Sequence, residues 1–447
     1  MSKPRKATLI RTTFVTNRAA EFFTESELRM QIGYEKPLWP LVIVKELVDN
    51  SLDACESIEA EPKIEITLEP DSISVADNGP GLRESTIRAA LNYDQRVSDK
   101  KHYVSPTRGQ LGNALKCIFP ACFVATGKTS AVEIMACGLH HRIEASIDRV
   151  AREPRILHRI EKARSVKNGT CVTVHWRDVA CFNTDDAHSE FYRGTVERVL
   201  RDLIRDFAAV NPQATFTVAV RGRKWTFRAS DPNWRKWRTC DPTSAHWYRP
   251  EDLRDLIAAH LGEEKRAGTE KRLTVRDFVS DFDGLTGTQY RKRVLHEAGL
   301  SDAALADLVT DDAIDMVRVE RLLEAMRRNS KPVKPERLGV IGKEHMLGAL
   351  VAYGAKADSV EYAKDPRISD VDGLPYVVEA AFGVTREGDT RRLIFGLNNS
   401  VVFKVPAHHL HGILSSCWVE RDDPVVILVN QSGPRFAFTG HGKGSVA

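Results

Sequence analysis

Four short stretches of the chain combine residue types that can do chemistry. In residues 41–56, LVIVKELVDNSLDACE, an advance of about 100° per residue puts Leu41, Val44, Val48, Leu52 and Cys55 on one helical stripe. Glu46, Asn50 and Asp53 share the opposite stripe. The apolar stripe packs on a core. The polar one is either the solvated face of an amphipathic helix or a site, because an amide oxygen from Asn50 can hold a hard cation while Glu46 orients a water. A solvated face mixes Lys, Arg and Glu freely, whereas here carboxylate, amide and carboxylate stand at spacings of four and three.

The second stretch alternates: Ile64, Ile66 and Leu68, then Ile73 and Val75, then Asp77-Asn78-Gly79-Pro80-Gly81. Period two places Asp77 on the face of Ile73 and Val75, which seeks the core. A carboxylate turned inward must find donors. The same letters also read as an Asn-Gly turn, and the glycines let backbone approach a ligand closely. The third stretch, Arg108-Gly109-Gln110-Leu111-Gly112-Asn113-Ala114-Leu115-Lys116, is a glycine-spaced loop entering a helical pattern. Amides at a helix start suit phosphate oxygens. The fourth, Asn168-Gly169-Thr170, precedes the strand-like CVTVHW and reads equally as its turn. Gly127-Lys128-Thr129 is a decoy, since a P-loop requires glycine where Cys122 stands.

Such stretches need rigid elements to place them. The chain has 447 residues, room for two to four domains of about 100–200 residues each. Apolar residues make up 42% and charged ones 28%, which excludes a disordered or fibrous chain. No run approaches the roughly 18 apolar residues of a membrane span. The opening MSKPRKATLIRTTF lacks an apolar segment and a cleavage site, so a cytoplasmic protein with no membrane partner is expected. Eight cysteines without a CxxC pair argue against a disulfide framework and structural zinc.

To about residue 235, β-like runs at 63–68, 72–76, 131–136, 171–175 and 215–220 alternate with helical patterns, as in an α/β layer structure. From about 245 to 330 the pattern is almost wholly helical. Residues 331–335, KPVKP, read as a linker. Beyond them HMLGALVAYG is helical, and LPYVVEAAFGV, RRLIFGLNNSVVFKV and PVVILVN read as strands of a second α/β unit. The expected class is α/β (α+β), with domains at 1–235, 236–334 and 335–447.

In this order the four stretches resemble the Bergerat-fold (GHKL) ATPases, the group of gyrase B, MutL-type mismatch-repair proteins, the large heat-shock chaperone and histidine kinases. VKELVDNSLDACE, VADNGPGL and RGQLG most resemble the B subunits of the topoisomerase VI (type IIB) family. The likeness extends to AEFF at 20–23, to LTVRDFVSDF, RVLHEAGL and VERLLEAMRR in the helical region, and to Gly442-Lys443-Gly444. The resemblance implies a Bergerat-fold ATPase sandwich with an N-terminal dimerisation arm, a helix-two-turns-helix insert and a transducer-like C-terminal domain. It implies ATP and Mg²⁺ as cofactors, with Glu46 as general base, Asn50 as the Mg²⁺ ligand and Asp77 on the adenine amino group. Gly79 and Gly81 would admit the base. Gly109 and Gly112 would wrap the phosphates as part of a lid over residues 82–112, and Arg108, Gln110, Leu111 and Asn113 of the same motif would be cofactor-binding. Asp53 and Thr170 fall in the adenine-side hydrogen-bonding network, and Lys443 is the switch lysine that reaches the γ-phosphate as a point charge.

The partners implied are double-stranded DNA, a topoisomerase VI A-like cleavage subunit and a second copy of the chain in an ATP-dependent homodimer, a heterotetramer with the A subunit. Two departures stand out. Ala114 occupies the position of the family's third lid glycine, and the sequence ends at Ala447 where the family's transducer continues into a long helix. The rival expectation is a stand-alone ATP-dependent switch of a mobile-element or defence system that grips DNA or protein without topoisomerase activity. A histidine kinase would require a phospho-accepting histidine helix ahead of the ATPase region, and none is found.

Two strings interleave cations with aromatics, RGRKW at 221–225 and WRKWR at 234–238, a composition suited to phosphate contact. The first also reads as an edge strand in which Trp225 and Phe227 alternate with Arg223 and Arg228. Arg291, Lys292 and Arg293 are a further candidate. The net charge of +4, from 65 basic and 61 acidic residues, is too balanced to decide. His408, His409 and His411 lack a fourth ligand at suitable spacing and read as surface loop.

Overall fold

The computed structural model describes residues 18–93, 102–108, 114–148, 150, 153–163, 168–179, 192, 194–268, 272–311, 313–403 and 407–436. The period-two runs of the N-terminal half become β1 (Lys63–Glu69), β2 (Ser72–Ala76), β3 (Ser130–Ala136), β4 (Leu139–Asp148), β5 (Glu153–Lys162), β6 (Thr170–His175), β7 (Thr215–Val220) and β8 (Arg223–Phe227). They form one sheet in the order β5-β4-β3-β6-β2-β1-β7-β8. Its pairs are antiparallel except β1 with β7.

Alternation decides the two faces. Ile64, Ile66, Ile73, Val75, Val132, Ile134, Val172, Val174, Phe216 and Val218 are buried. Helices α1 (Glu25–Ile32), α2 (Trp39–Ser57), α3 (Glu84–Ala90), α4 (Ala114–Thr126) and α5 (Val196–Val210) accompany the sheet, and α2, α4 and α5 pack on it at β2, β3 and β7. Five of the eight strands lie within a residue of the runs expected from sequence. The β4–β5 hairpin was not among them, although Ile143 and Ala145 alternate with polar neighbours and are buried.

The helical region holds α6 (Pro250–Ala267), α7 (Val275–Val279), α8 (Thr288–Ala298) and α9 (Met316–Arg328), with a two-stranded pair, β9 (Val309–Thr310) and β10 (Ala313–Ile314), that the helical pattern did not contain. Thr274 and Asp315 accept the first backbone amides of α7 and α9, and Gly299 ends α8 in the left-handed region. This unit has its own core of Trp237, Trp247, Tyr248, Leu256, Phe278, Phe282, Leu322 and Met326.

The C-terminal unit has α10 (Lys343–Ala352), α11 (Ala407–Ser416) and a second sheet of β11 (Glu361–Ile368), β12 (Pro375–Val384), β13 (Arg392–Leu397), β14 (Ser400–Val401) and β15 (Val425–Ser432), in the order β11-β12-β15-β13-β14. Met346, Leu350, Ile394, Val401, Phe403 and Leu428 join the same core as α2 and α5, so the first and third regions share one apolar interior. A buried Asp206 on α5 reinforces the junction, accepting from Arg392 Nη2 at 2.8 and 3.0 Å and from Tyr192 Oη at 2.6 Å. No helix among the described residues is long and apolar enough to cross a membrane.

The fold corrects one candidate nucleic-acid surface. Trp234, Lys236 and Trp237 are buried, and Arg238 is engaged by Asp241 and Glu59. The string at 234–238 is a buried connection between the two cores, with Arg235 alone exposed. At 223–227 the edge strand forms: Trp225 and Phe227 lean on the core, Lys224 and Thr226 alternate with them on the water side, and Arg223 at the strand's start is exposed as well. Residues 408, 409 and 411, expected in a surface loop, stand instead in α11, and their side chains lie outside the described ones.

Candidate functional site

Helix α2 begins at Trp39-Pro40, where the fixed φ of proline suits a first turn. Fourteen of its nineteen residues are buried, so the helix is enclosed on most sides and several polar residues are forced inward. The expected polar stripe divides. The Glu46 side chain is 29% exposed and Asn50 is exposed, whereas Asp53 is buried and accepts Arg108 Nη1 at 2.7 Å.

Behind the open part lies a buried ion pair. Lys45 Nζ donates to Asp49 Oδ2 at 2.8 Å and to Glu46 Oε1 at 3.3 Å. Ser400 Oγ, from β14 of the C-terminal sheet, donates to the same Asp49 oxygen at 2.6 Å. Burial opposes the ammonium's charge, but Asp49 and Glu46 outweigh it and hold the Lys45 pKa above its usual range. The carboxylate of Glu46 is thus oriented from behind by a cation that stays charged.

Strand β2 runs out into Asp77. Its Oδ1 accepts the backbone amides of Gly79 at 2.8 Å and Thr170 at 3.2 Å, and Oδ2 accepts Ser51 Oγ at 3.1 Å. The inward carboxylate has therefore found its donors, two of them backbone. Desolvation raises its pKa, and these three hydrogen bonds oppose the rise. Ser51 follows Asn50 directly, so the open face of α2 adjoins the end of β2. A Cβ on Gly79 would stand 3.0 Å from Asp77 Oδ1 and 3.1 Å from Ala54 Cβ. Gly169, at φ +86°, lies so close that a Cβ there would be 1.9 Å from the Asp77 carbonyl oxygen. The turn before β6 is therefore part of this corner. Asn78 accepts from Lys63 N at 2.8 Å and Cys55 Sγ at 3.3 Å, tying the turn to β1 and α2.

Arg108 is the surprise of the third stretch. Expected among the cofactor-binding residues, its side chain is fully buried, and each of its N–H groups has an acceptor. Nη1 donates to Asp53 Oδ1 and Glu56 Oε2, both at 2.7 Å. Nη2 donates to Glu56 Oε1 and Asn211 Oδ1, both at 2.7 Å, and Nε to the Asn399 carbonyl at 3.4 Å. Gln213 and Lys236 complete the surroundings of Glu56 at 2.8 and 3.6 Å. Although burial pushes the Glu56 carboxyl upward, Arg108 and Lys236 hold its pKa below the usual range.

The structure thus gathers Glu46, Asn50, Asp77, Gly79 and Thr170 about one corner and turns Asp53 and Arg108 toward each other. Gly81, at φ +88°, lies against Cys137 and Gly169 on the rim. Gly109, Gln110, Leu111, Gly112, Asn113 and Lys443 lie outside the described residues, as does part of the lid. In the arm, Phe22 and Phe23 pack against Tyr93 of their own chain, with ring centroids 5.1 and 5.8 Å apart. Lys45, Asp49, Ser51, Glu56 and Asn211 escaped the sequence reading. The i,i+4 spacing of Lys45 and Asp49 was a usable signal; nothing local marks the others.

Residues 40–167 match the family model described as histidine kinase-, DNA gyrase B- and HSP90-like ATPase. The chain is similar to the B subunit of type 2 DNA topoisomerase 6 from Archaeoglobus fulgidus, 24% identical over 461 residues, covering 96% of this chain and 70% of that one. It is also similar to the protein of the same name from Metallosphaera sedula, 24% identical over 470 residues, covering 97% and 80%. Among solved structures, the B subunit of the DNA gyrase from Myxococcus xanthus aligns with 94% of this chain and 87% of its own at 14% identity, with a TM-score of 0.39.

Proposed function

We propose that the chain, whose residues 40–167 match the model of histidine kinase-, DNA gyrase B- and HSP90-like ATPases, is the ATP-binding and hydrolysing subunit of a type IIB, topoisomerase VI-like DNA topoisomerase. The observation that carries this is the corner between α2 and β2. There the desolvated carboxylate of Asp77, anchored by two backbone amides, accepts from Ser51, the residue after the exposed Asn50, on the same helix that carries Glu46 with a buried lysine beside it. Asp77 suits the exocyclic amino group of adenine, because a carboxylate only accepts. Asn50 would hold Mg²⁺ through its amide oxygen, and the ion supplies charge neutralisation on the triphosphate. Glu46 accepts the proton of the attacking water, with Lys45 fixing its carboxylate. Thr170 and Gly169 shape the adenine side, and Asp53 supports it through Arg108. Residues 109–113 would serve the phosphates, and Lys443 would sense the terminal one.

Around this site the chain divides into an ATP-binding domain (1–235), a helical domain (236–334) and a transducer-like domain (335–447). ATP would pair two protomers through the N-terminal arm about double-stranded DNA, with cleavage supplied by a separate A-type subunit. The similarity to topoisomerase 6 B subunits runs beyond the ATPase region through the helical and C-terminal ones, which favours this function over a stand-alone switch. Calorimetry of the full chain with MgATP, followed by Glu46→Ala, tests it. Binding should persist in the variant while turnover falls about 10²–10⁴-fold, as for a lost general base. A non-hydrolysable ATP analogue should move the protein from monomer to dimer on gel filtration. No heat on titrating MgATP would end the proposal.

A further inference from the structure

Arg108 is placed to do something other than bind phosphate. Its guanidinium has no donor left to offer a ligand, since five hydrogen bonds to four residues already take its hydrogens. Two of these residues, Asp53 and Glu56, are on α2, the helix that bears Glu46 and Asn50. Asn211 follows α5, and the Asn399 carbonyl belongs to the turn between β13 and β14.

That turn is built for the contact. Asn398 and Asn399 both have positive φ, +49° and +64°, as a two-residue hairpin requires. Their side-chain amides donate to the first domain: Asn398 Nδ2 to the Thr107 carbonyl at 3.2 Å and Asn399 Nδ2 to the Val210 carbonyl at 2.9 Å, while Asn398 Oδ1 accepts from Gly433 N of its own unit at 2.9 Å. Asn211 Nδ2 returns a bond to the Asn399 carbonyl at 2.9 Å. The next residue, Ser400, reaches α2 a second time at Asp49. Just upstream of Arg108 the chain is fastened to the helical unit. Val104 N donates to Tyr248 Oη at 3.0 Å, Thr243 Oγ1 donates to the Val104 carbonyl at 2.6 Å, and Tyr103 Oη meets His260 Nε2 at 3.1 Å. Residues 102–108 therefore touch all three units.

We propose that Arg108 is a positioning residue, and that the strap 102–108 it anchors joins nucleotide binding on α2 to the seating of the Asn398–Asn399 turn and of the helical unit. The proposal rests on the nucleotide function assigned above and adds a route to the C-terminal sheet separate from Lys443. Buried charges with a full set of partners do not shift singly. A ligand that fixes the Asp53 turn of α2 fixes Arg108, and through it the strap and the hairpin turn. Coupling of this kind is reciprocal, so loosening the turn must weaken the nucleotide.

The test is amide hydrogen exchange of the full chain with and without a magnesium-bound non-hydrolysable ATP analogue, with calorimetry in parallel. In the native protein the analogue should slow exchange in peptides 102–108 and 396–403 by about fivefold or more. Asn398→Gly keeps a positive φ but removes both side-chain bonds of this residue, the one to the Thr107 carbonyl and the one accepted from Gly433 N at 2.9 Å within the C-terminal unit. It should still bind the analogue, with affinity lowered about 5-fold or more, and lose the protection at 396–403 while keeping it at 102–108. Arg108→Lys keeps the charge without the fork of donors and should lose protection in both segments. Analogue binding with no change at 396–403, or protection that survives in both variants, overturns the proposal and leaves the nucleotide site standing. Absence of binding in the native protein overturns both.

Discussion

Replacing Asp77 by Asn tests the adenine contact with little disturbance of the fold. The amide oxygen can take the place of Oδ1 and keep the Gly79 and Thr170 amides. The NH₂ then replaces Oδ2, and Ser51 needs only to rotate its hydroxyl to accept in place of donating. What changes is the group presented to the purine. An acceptor becomes a donor facing the adenine amino group, so a hydrogen bond to a charged acceptor is lost, worth about 1.5–3 kcal/mol. That corresponds to about a 10–200-fold rise in the Kd for MgATP. The same donor now suits the carbonyl at position 6 of guanine, so the ratio of GTP to ATP affinity should rise by at least about tenfold. Calorimetry with both nucleotides measures the two effects, and a thermal melt checks the fold. An Asp77→Asn protein that melts normally and binds MgATP within about twofold of the native chain would refute the assignment of Asp77.

Other outcomes follow from the same geometry. Glu56→Ala leaves Arg108 and Lys236 in the interior without their shared counter-charge, and should cost about 3–5 kcal/mol in urea unfolding; a loss below about 1 kcal/mol would mean the network is not closed as described. Gly169→Ala adds a Cβ 1.9 Å from the Asp77 carbonyl at φ +86°. It should cost about 2–5 kcal/mol from left-handed strain and overpacking, read as a fall in the denaturation midpoint. Asp252 is pushed up by partial burial, but bonds from Arg249 and Arg435 bring its pKa down to about 2. Because the folded value is the lower one, its contribution to stability is present above the unfolded value near about 3.9 and is lost as the pH falls through about 2. Asp252→Asn should flatten that part of the acid-unfolding curve, and an unchanged curve would count against the Arg435 pair.

Much of the candidate site is legible in the sequence, for a physical reason. Glu46 and Asn50 are one turn apart on a helix with a strong apolar stripe. Asp77 ends an alternating strand, and Asn168-Gly169-Thr170 opens another. Within such segments periodicity alone assigns faces, because 3.6 and 2 residues per repeat are properties of the backbone. The five strands expected in the first sheet and the helices of the middle region came from the same rule. The β4–β5 hairpin escaped because its apolar positions are sparse and its outer face is crowded with charge.

Tertiary structure decided which polar residues of α2 are open and which are closed. Asp53 looks like a continuation of the Glu46–Asn50 stripe, yet Arg108, 55 residues on, closes it off. Trp234 and Trp237 look like a basic-aromatic surface, yet two cores meet over them. Arg108 itself reads as a cofactor-binding residue beside glycines, and only the arrival of Asn211 and Asn399 from far along the chain shows its donors taken. Local sequence determines the direction in which a side chain leaves its element. What waits there depends on segments hundreds of residues away, and a buried charge keeps its place only where those segments bring it partners.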